Sequence, residues 1–192
     1  MSGVKGQCAA RTNGLTGAEK GRVLGWHQKS IGMTTPFSWA DSNWNAINDG
    51  SVSAQVTVTN TCAKNIEIYM MIHHSSMDDN PTLPFTLQRN VNSAGFHDLT
   101  GAVSSFGGGG QSNKGWIVGS GGHNSTWQEY CIYNVTGSYI DDVSTLAWTQ
   151  LEYRVLGRRY HGTIWFGKNE NHNNSSQWAC GAGNVFRVTE LG

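Results

Sequence analysis

Residues 51–72 contain the clearest structural pattern of this sequence, because apolar and polar side chains alternate there over two successive segments. From Val52 to Val58 every second residue is apolar, and the residues between them carry hydroxyl or amide groups. After a polar connection, the alternation resumes from Ile66 to Ile72. Successive side chains of a β-strand point to opposite faces, so each segment predicts a half-buried strand. We interpret the pair as an antiparallel hairpin whose apolar faces belong to the core.

The opposite face of this predicted hairpin differs between its two strands. Thr57 and Thr59 are polar, whereas Glu67, Tyr69 and Met71 form a less polar set than an exposed surface requires. We therefore expect the second strand to be partly covered on this face as well, either by the tryptophan-rich segment that precedes the hairpin or by another subunit.

Short strand-like segments separated by Gly and Asn turns continue through the rest of the chain. They lie at 85–87, 94–97, 116–118, 127–135, 145–156, 160–166 and 185–191. Residues 141–151 also accommodate one short helix. Short strands at regular spacing, with no sustained helical period, predict an all-β, single-domain antiparallel β-sandwich, or flattened barrel, with long Gly/Asn-rich loops. We expect residues 22–192 to form this domain and residues 1–21 to be an N-terminal arm or loose lead-in.

The charge balance argues against one class of partner and permits another. The chain has 13 basic and 13 acidic residues, and its longest basic run is Arg158-Arg159. Nucleic-acid binding by phosphate neutralisation is therefore not expected. A net charge near zero removes self-repulsion and favours association, so a homo-oligomer is compatible with the sequence.

No apolar run has the length of a signal peptide at the N-terminus or of a transmembrane segment elsewhere. We therefore expect cytoplasmic synthesis, with release required if the protein acts outside the cell. The four cysteines, Cys8, Cys62, Cys131 and Cys180, match no zinc-binding spacing. In that compartment we expect reduced, mostly buried thiols, and two disulfides of undetermined pairing are the alternative.

Candidate catalytic and metal-binding groups are scattered along the sequence. His73 and His74 precede Asp78 and Asp79 in what we interpret as a polar loop. Neighbouring strand residues point to opposite faces, so the two imidazoles do not easily share one metal ion. No nucleophile-elbow or phosphate-loop pattern is present. We therefore predict no metal, no cofactor and no enzymatic activity.

Aromatic residues within Gly, Asn and Ser segments are the most distinctive functional signal. Trp and Tyr combine an apolar body with a polar group, which suits stacking on sugars and residence at a membrane interface. The predicted ligand-binding residues are Phe37, Trp39, Trp44, Trp116, Asn124 and Trp127. They predict a non-enzymatic protein that binds glycans or membrane lipid headgroups, such as a lectin or small cytolysin. The alternative is a self-assembling structural subunit, such as a coat, fibre or crystal-forming protein.

Two short segments resemble a known family. Residues 25–32 and 36–45 are similar to two stretches of the actinoporin-type cytolysins, in the reverse order. That resemblance implies a β-sandwich that binds lipid headgroups through an aromatic cluster. It covers under a tenth of the chain and assigns no residue roles.

Overall fold

A computed structural model describes residues 23–31, 37–39, 44–48, 53–59, 62–76, 82–99, 117–120, 133–158, 164–166 and 184–192. These residues form twelve β-strands and no helix, which confirms the all-β prediction. The strands are β1 (Val23–Ile31), β2 (Phe37–Trp39), β3 (Asn45–Ala46), β4 (Gln55–Val58), β5 (Asn65–Ser76), β6 (Thr82–Val91), β7 (Phe96–Asp98), β8 (Ile117–Ser120), β9 (Tyr133–Asp142), β10 (Leu151–Gly157), β11 (Ile164–Phe166) and β12 (Asn184–Leu191).

The strands belong to two antiparallel sheets. Sheet A has the order β1-β12-β5-β11-β2, and β9 also pairs with β5. Sheet B has the order β3-β10-β6-β7, with β4 also paired to β10 and β8 to β6. Among the described strands no ladder of hydrogen bonds joins the two sheets, so the architecture is a sandwich rather than a flattened barrel.

The core lies between the two sheets, where alternate residues of the central strands meet. The buried side chains include Ile66, Ile68, Met70, Ile72, Phe186 and Val188 from sheet A, and Val56, Val58, Phe85, Leu87, Tyr153 and Val155 from sheet B. Burial of one such large apolar side chain contributes about 1.5–3 kcal/mol. The apolar faces predicted for the two alternating segments are confirmed as core from Ala54 to Val58 and from Ile66 to Ile72, and Val52 lies outside the described residues.

The hairpin predicted for these two segments is wrong. β4 pairs with β10 in sheet B, whereas β5 pairs with β12 and β9 in sheet A. The connection between them crosses from one sheet to the other, where the Lys64 amide donates to the Leu191 carbonyl oxygen at 2.9 Å. The two segments therefore contribute to the core from opposite sheets. Alternation determines which side chains face the core, and it leaves the neighbouring strand unspecified.

The polar loop predicted from His73 onward is also wrong at its start. β5 continues through His73 and His74 to Ser76, because β9 extends the ladder by pairing Asn134 with His73 and Tyr133 with His74. Both side chains are buried, at 6% and 0% exposure.

The connection between β9 and β10, residues 143–150, contains no helix. The strand predicted over 145–156 is wrong at its start, because β10 begins only at Leu151. The carboxylate of Asp142 accepts hydrogen bonds from the backbone amide and the hydroxyl of Ser144, at 2.9 and 2.6 Å. Such local bonds from an aspartate favour a turn over a helix. On the outer faces of the two sheets, Thr57 and Thr59 are exposed in sheet B, and Glu67, Tyr69 and Met71 of β5 are half-buried in sheet A, as predicted.

The prediction of reduced thiols is wrong for Cys62, which is disulfide-bonded. The other three cysteines, Cys8, Cys131 and Cys180, lie outside the described residues.

Strand register defines two ends of the sandwich. We call the upper end the one where β5 ends at Ser76, β6 begins at Thr82 and β10 ends at Gly157; at the lower end β9 ends at Asp142 and β10 begins at Leu151. The predicted arm at 1–21 lies outside the described residues. None of the described residues belongs to a helix long and apolar enough to cross a membrane.

Candidate functional site

Short edge strands position the first predicted binding residues at the upper end. β2, which contains Phe37 and Trp39, pairs with β11, and Trp39 lies opposite Ile164, which in turn pairs with Ser76 at the upper end of β5. Trp44 immediately precedes β3, whose Asn45 pairs with Gly157. β2 and β3 are therefore outer strands of opposite sheets at the same end of the molecule.

Trp39 and Trp44 are also close along the chain. They are five residues apart in the sequence. Even a fully extended chain separates their Cα atoms by no more than about 18 Å. One short oligosaccharide spans such a distance.

Trp44 is half-buried, and its indole Nε1 is buried without a hydrogen-bond partner in the described part of the chain. A Trp N–H usually finds a partner when it is buried, because an unmade hydrogen bond costs about 1–3 kcal/mol. The half-burial of Trp44 leaves part of its surface accessible, and packing rather than a hydrogen bond of the indole N–H restricts the side chain.

Three predicted residues, Trp116, Asn124 and Trp127, lie outside the described residues. Trp116 directly precedes β8, where Ile117 pairs with Phe85. Asn124 and Trp127 belong to the connection from β8 to β9. The strand residues that flank this connection, Ser120 and Tyr133, are both at the upper end, because Ser120 pairs with Thr82 and Tyr133 pairs with His74.

The two histidines next to this end point to different faces of β5. His74 lies opposite Phe166 of β11. Burial, with a smaller effect from His73, lowers the pKa of His74 from 6.5 to about 4. The backbone amide of His73 donates to Asn184 Oδ1 at 2.6 Å. His74 is thus neutral at physiological pH. Within the described ranges no group of three or more metal-ligating side chains occurs.

A buried ionic network links the sheets near the lower end. Arg89 Nη1 of β6 donates to both carboxylate oxygens of Asp141 on β9, at 2.7 and 2.8 Å. The Tyr153 hydroxyl of β10 donates to Asp141 Oδ2 at 2.8 Å. Burial first, and then the negative charge of Asp141, raises the pKa of Tyr153, which stays protonated. Every member of the network is engaged by another, so the arrangement holds the sheets together.

A second buried carboxylate, Glu190 on β12, faces the edge strand β1. His27 Nε2 lies 3.1 Å from Glu190 Oε1, and the Glu190 side chain is 5% exposed whereas that of His27 is 45% exposed. Gly25 pairs with Glu190, and a Cβ atom at Gly25 would lie 2.9 Å from Glu190 Oε2. The glycine therefore provides the space that the carboxylate occupies.

The outer face of sheet B carries a polar ladder that the sequence did not reveal. Arg154 stacks over Phe96 at 3.8 Å from the ring centroid, and its Nε donates to Gln88 Oε1 at 2.8 Å. Gln88 in turn donates to Asp98 at 2.9 Å. Burial lowers the pKa of Arg154, against the opposing effect of Asp98. These partners are on three different strands, and no local pattern connects them.

On the outer face of sheet A, Arg187 lies over the Tyr69 ring at 5.0 Å from its centroid. Both side chains are half-buried, which explains why Tyr69 suits this face despite the solvent beyond it. The pair joins β5 to β12, where the two residues are opposite each other.

Comparisons with known proteins identify no family. No protein-family model matches the sequence, and no curated protein matches it. Among solved structures, the chain is similar to the one described as "Structure of Eiger TNF from S. frugiperda", with a TM-score of 0.34 and 13% sequence identity over 90% of this chain and 89% of that chain. A likeness of this size carries no inference about ligands or partners.

Proposed function

We propose that this chain is a non-enzymatic binding protein whose upper end engages hydroxyl-bearing groups, either the sugars of a glycan or the headgroup of a membrane lipid. The observation that carries the proposal is the strand register. It anchors Phe37, Trp39 and Trp44 at the upper end, and the connection that contains Asn124 and Trp127 is anchored there too.

The residue types fit such ligands. Aromatic rings stack on the apolar faces of sugars and also reside at the boundary between lipid headgroups and acyl chains. Asn124 adds an amide that both donates and accepts hydrogen bonds. The chain has 13 basic and 13 acidic residues, so recognition depends on shape and hydrogen bonds more than on net charge.

The partial burial of Trp44 supports its role as an anchor. A side chain already packed against its own protein loses little conformational freedom when a ligand binds. Its remaining exposed surface is then available for stacking. Aromatic residues of this kind dominate the energetics of many binding surfaces.

The test compares wild-type protein with Trp39→Ala, Trp44→Ala and the double variant. The probes are an array of immobilised neutral oligosaccharides, vesicles of phosphatidylcholine alone, and phosphatidylcholine vesicles containing sphingomyelin or a neutral glycolipid. We expect binding to one class of probe and at least a tenfold loss in the double variant, which corresponds to about 1.4 kcal/mol. The glycan and lipid arms distinguish the two sources of the same chemistry.

Ile140→Ala is the matched control. Ile140 is 62% exposed, and it lies opposite Glu67 near the lower end. Its truncation removes exposed apolar surface far from the upper end, so binding should be unchanged. Wild-type protein that binds none of the probes, or a double variant that binds as well as wild type, contradicts the proposal.

The alternative is a self-assembling structural subunit, and Ile140 is the observation that favours it. This exposed side chain lies on β9, and the neighbouring outer face of sheet A includes the half-buried Met71 and Val185. Size-exclusion chromatography with light scattering at high concentration tests this function. A stable monomer excludes it, and a defined oligomer that Ile140→Lys dissociates supports it.

A further inference from the structure

The sequence Asn134-Val135-Thr136 on β9 matches the acceptor pattern for N-linked glycosylation. Its structural setting is favourable. Val135 points into the core with 6% exposure, and the strand alternation turns both Asn134 and Thr136 to solvent. The acceptor amide and the hydroxyl that completes the pattern are thus on one accessible face.

Asn134 is also well placed within sheet A. β9 pairs with β5, and Asn134 lies opposite His73 near the upper end of that ladder. The backbone of Asn134 is therefore held in the sheet while its side chain is exposed. A glycan attached there extends away from the sandwich and displaces no buried side chain.

An independent observation concerns the environment in which the chain folds. Cys62 is disulfide-bonded. Disulfides form and persist in oxidising compartments, such as the lumen of the endoplasmic reticulum, and are rare in the cytosol. N-linked glycans are attached to proteins that pass through the same compartment. The disulfide thus gives the acceptor pattern a context that the sequence by itself does not provide.

We infer that Asn134 is an N-glycosylation site. In the transfer, the Asn134 amide nitrogen forms a bond to the anomeric carbon of an oligosaccharide donor linked to a lipid pyrophosphate. The bond from that carbon to the pyrophosphate oxygen breaks, the lipid pyrophosphate leaves with the electron pair, and the amide nitrogen loses one proton. No oxidant or reductant is required.

A glycan at this position has a physical consequence for the surface. Among the described strands β9 pairs only with β5, which makes it an outer strand of sheet A. Bulky hydrophilic groups on an outer strand hinder its pairing with another chain. Glycosylation of Asn134 therefore opposes lateral association through β9.

The experiment is secretion of the full chain from a eukaryotic cell with an added, cleavable signal peptide. Glycopeptide mass spectrometry then measures the occupancy of Asn134, before and after enzymatic release that converts a glycosylated Asn to Asp. We expect the peptide that contains Asn134 to carry a glycan. The other acceptor patterns are at 124, 173 and 174, so mapping to the peptide separates Asn134 from them.

A matched pair of variants at Thr136 provides the control. Thr136→Ser keeps the hydroxyl group. Thr136→Val removes the hydroxyl group and keeps the β-branched shape that suits a strand. We expect the glycan at Asn134 to remain in Thr136→Ser and to be lost in Thr136→Val. Secreted wild-type protein with an unmodified Asn134, or equal occupancy in the two variants, overturns the inference. The wild-type result decides the matter even if a variant is not secreted.

Discussion

Arg89 and Asp141 join the two sheets of the sandwich through paired hydrogen bonds of 2.7 and 2.8 Å from one guanidinium nitrogen. The residues are separated by 52 positions in the sequence. Asp141 is 6% exposed and Arg89 is 20% exposed. Their contact is a buried ion pair that depends on the correct packing of sheet A on sheet B.

Removal of the carboxylate from this pair should destabilise the fold. Asp141→Asn leaves Arg89 without its charge partner, and loss of one member of a buried pair costs about 3 kcal/mol. The adjacent, exposed Asp142→Asn is the control, and we expect it to change the free energy of unfolding by less than about 0.5 kcal/mol. Urea denaturation of the two variants measures the difference. Equal stability of Asp141→Asn and wild type contradicts the inter-sheet role of the pair.

Protonation of His74 should destabilise the protein in mild acid. The pKa of His74 in the folded state is about 4, against 6.5 for an ordinary histidine, because burial disfavours the charged ring. The unfolded chain therefore binds the extra proton between these values, so this stability is complete above pH 6.5 and is lost as the pH falls toward 4. The full effect is about 3 kcal/mol.

Urea denaturation at several pH values between 4 and 7.5 tests the contribution of His74. Carboxylates also titrate in this range, so the relevant quantity is the difference between wild type and His74→Gln, which carries no titrating group. We expect that difference to shrink with acidification. His97→Gln, at an exposed position of β7, is the control for replacing a histidine outside the core. Parallel pH profiles for wild type and His74→Gln rule out the effect.

Gly25→Ala should displace the carboxylate of Glu190. The new Cβ would lie 2.9 Å from Glu190 Oε2, which is too close, and the buried carboxylate is also held by His27 at 3.1 Å. We expect a loss of about 1–2 kcal/mol from this crowding. In a Glu190→Ala background the same substitution should cost much less, because the carboxylate is gone.

A double-mutant cycle in the free energy of unfolding measures this coupling. Gly95→Ala serves as a comparison, because its loss of stability has a different cause. Gly95 has a φ of 115°, and a Cβ added there would meet nothing within 4 Å. Its cost arises from backbone conformation and should be the same in both backgrounds. A Gly25→Ala cost that does not change with residue 190 excludes crowding as its origin.

Reduction should lower the stability of the protein through Cys62. A disulfide stabilises a fold by about 2–4 kcal/mol, chiefly by restricting the unfolded chain. In the unreduced, denatured protein, alkylation should leave Cys62 unlabelled, and a reductant should expose it to labelling and lower the thermal midpoint. Peptide mass spectrometry reads the labelling, and quantitative alkylation of Cys62 without a reductant contradicts the disulfide.

The sequence predicts the core faces well and the strand partners poorly. The alternation at Ile66 to Ile72 correctly identifies buried side chains, because period-2 patterning reflects burial on one face. It does not identify β12 and β9 as the neighbours of β5, since pairing depends on residues 59 or more positions away. The predicted hairpin chose the nearest partner in sequence, whereas the chain crosses to the other sheet.

Strand β1 shows a second limit of prediction from the sequence, which is that a strand without an apolar face is not recognised. Its sequence, from Val23 to Ile31, includes Gly25, His27 and Lys29 at alternate positions, so no apolar face is visible. The strand forms because β12 supplies a ladder of backbone hydrogen bonds along its length. The contact between Glu190 and His27 is not visible in the sequence either, because the two residues meet only when β1 and β12 pair.

The candidate site could be predicted from the sequence in its residues but not in their arrangement. Aromatic residues in polar segments are visible in the sequence, and that pattern identifies Phe37, Trp39 and Trp44 as candidates. Their common position at the upper end follows from the register of β2 and β3, which no local pattern encodes. The contact between Arg154 and Phe96 is invisible in the sequence because the two residues share no local motif.

Binding of the Trp39→Ala/Trp44→Ala double variant, compared with wild type and Ile140→Ala on the same neutral glycan array and vesicle panel, tests the proposed function most directly. We expect wild type and Ile140→Ala to bind one class of probe equally, and the double variant to bind at least tenfold more weakly while it remains folded. Equal binding by all three proteins, or no binding by wild type to any probe, contradicts the proposed function.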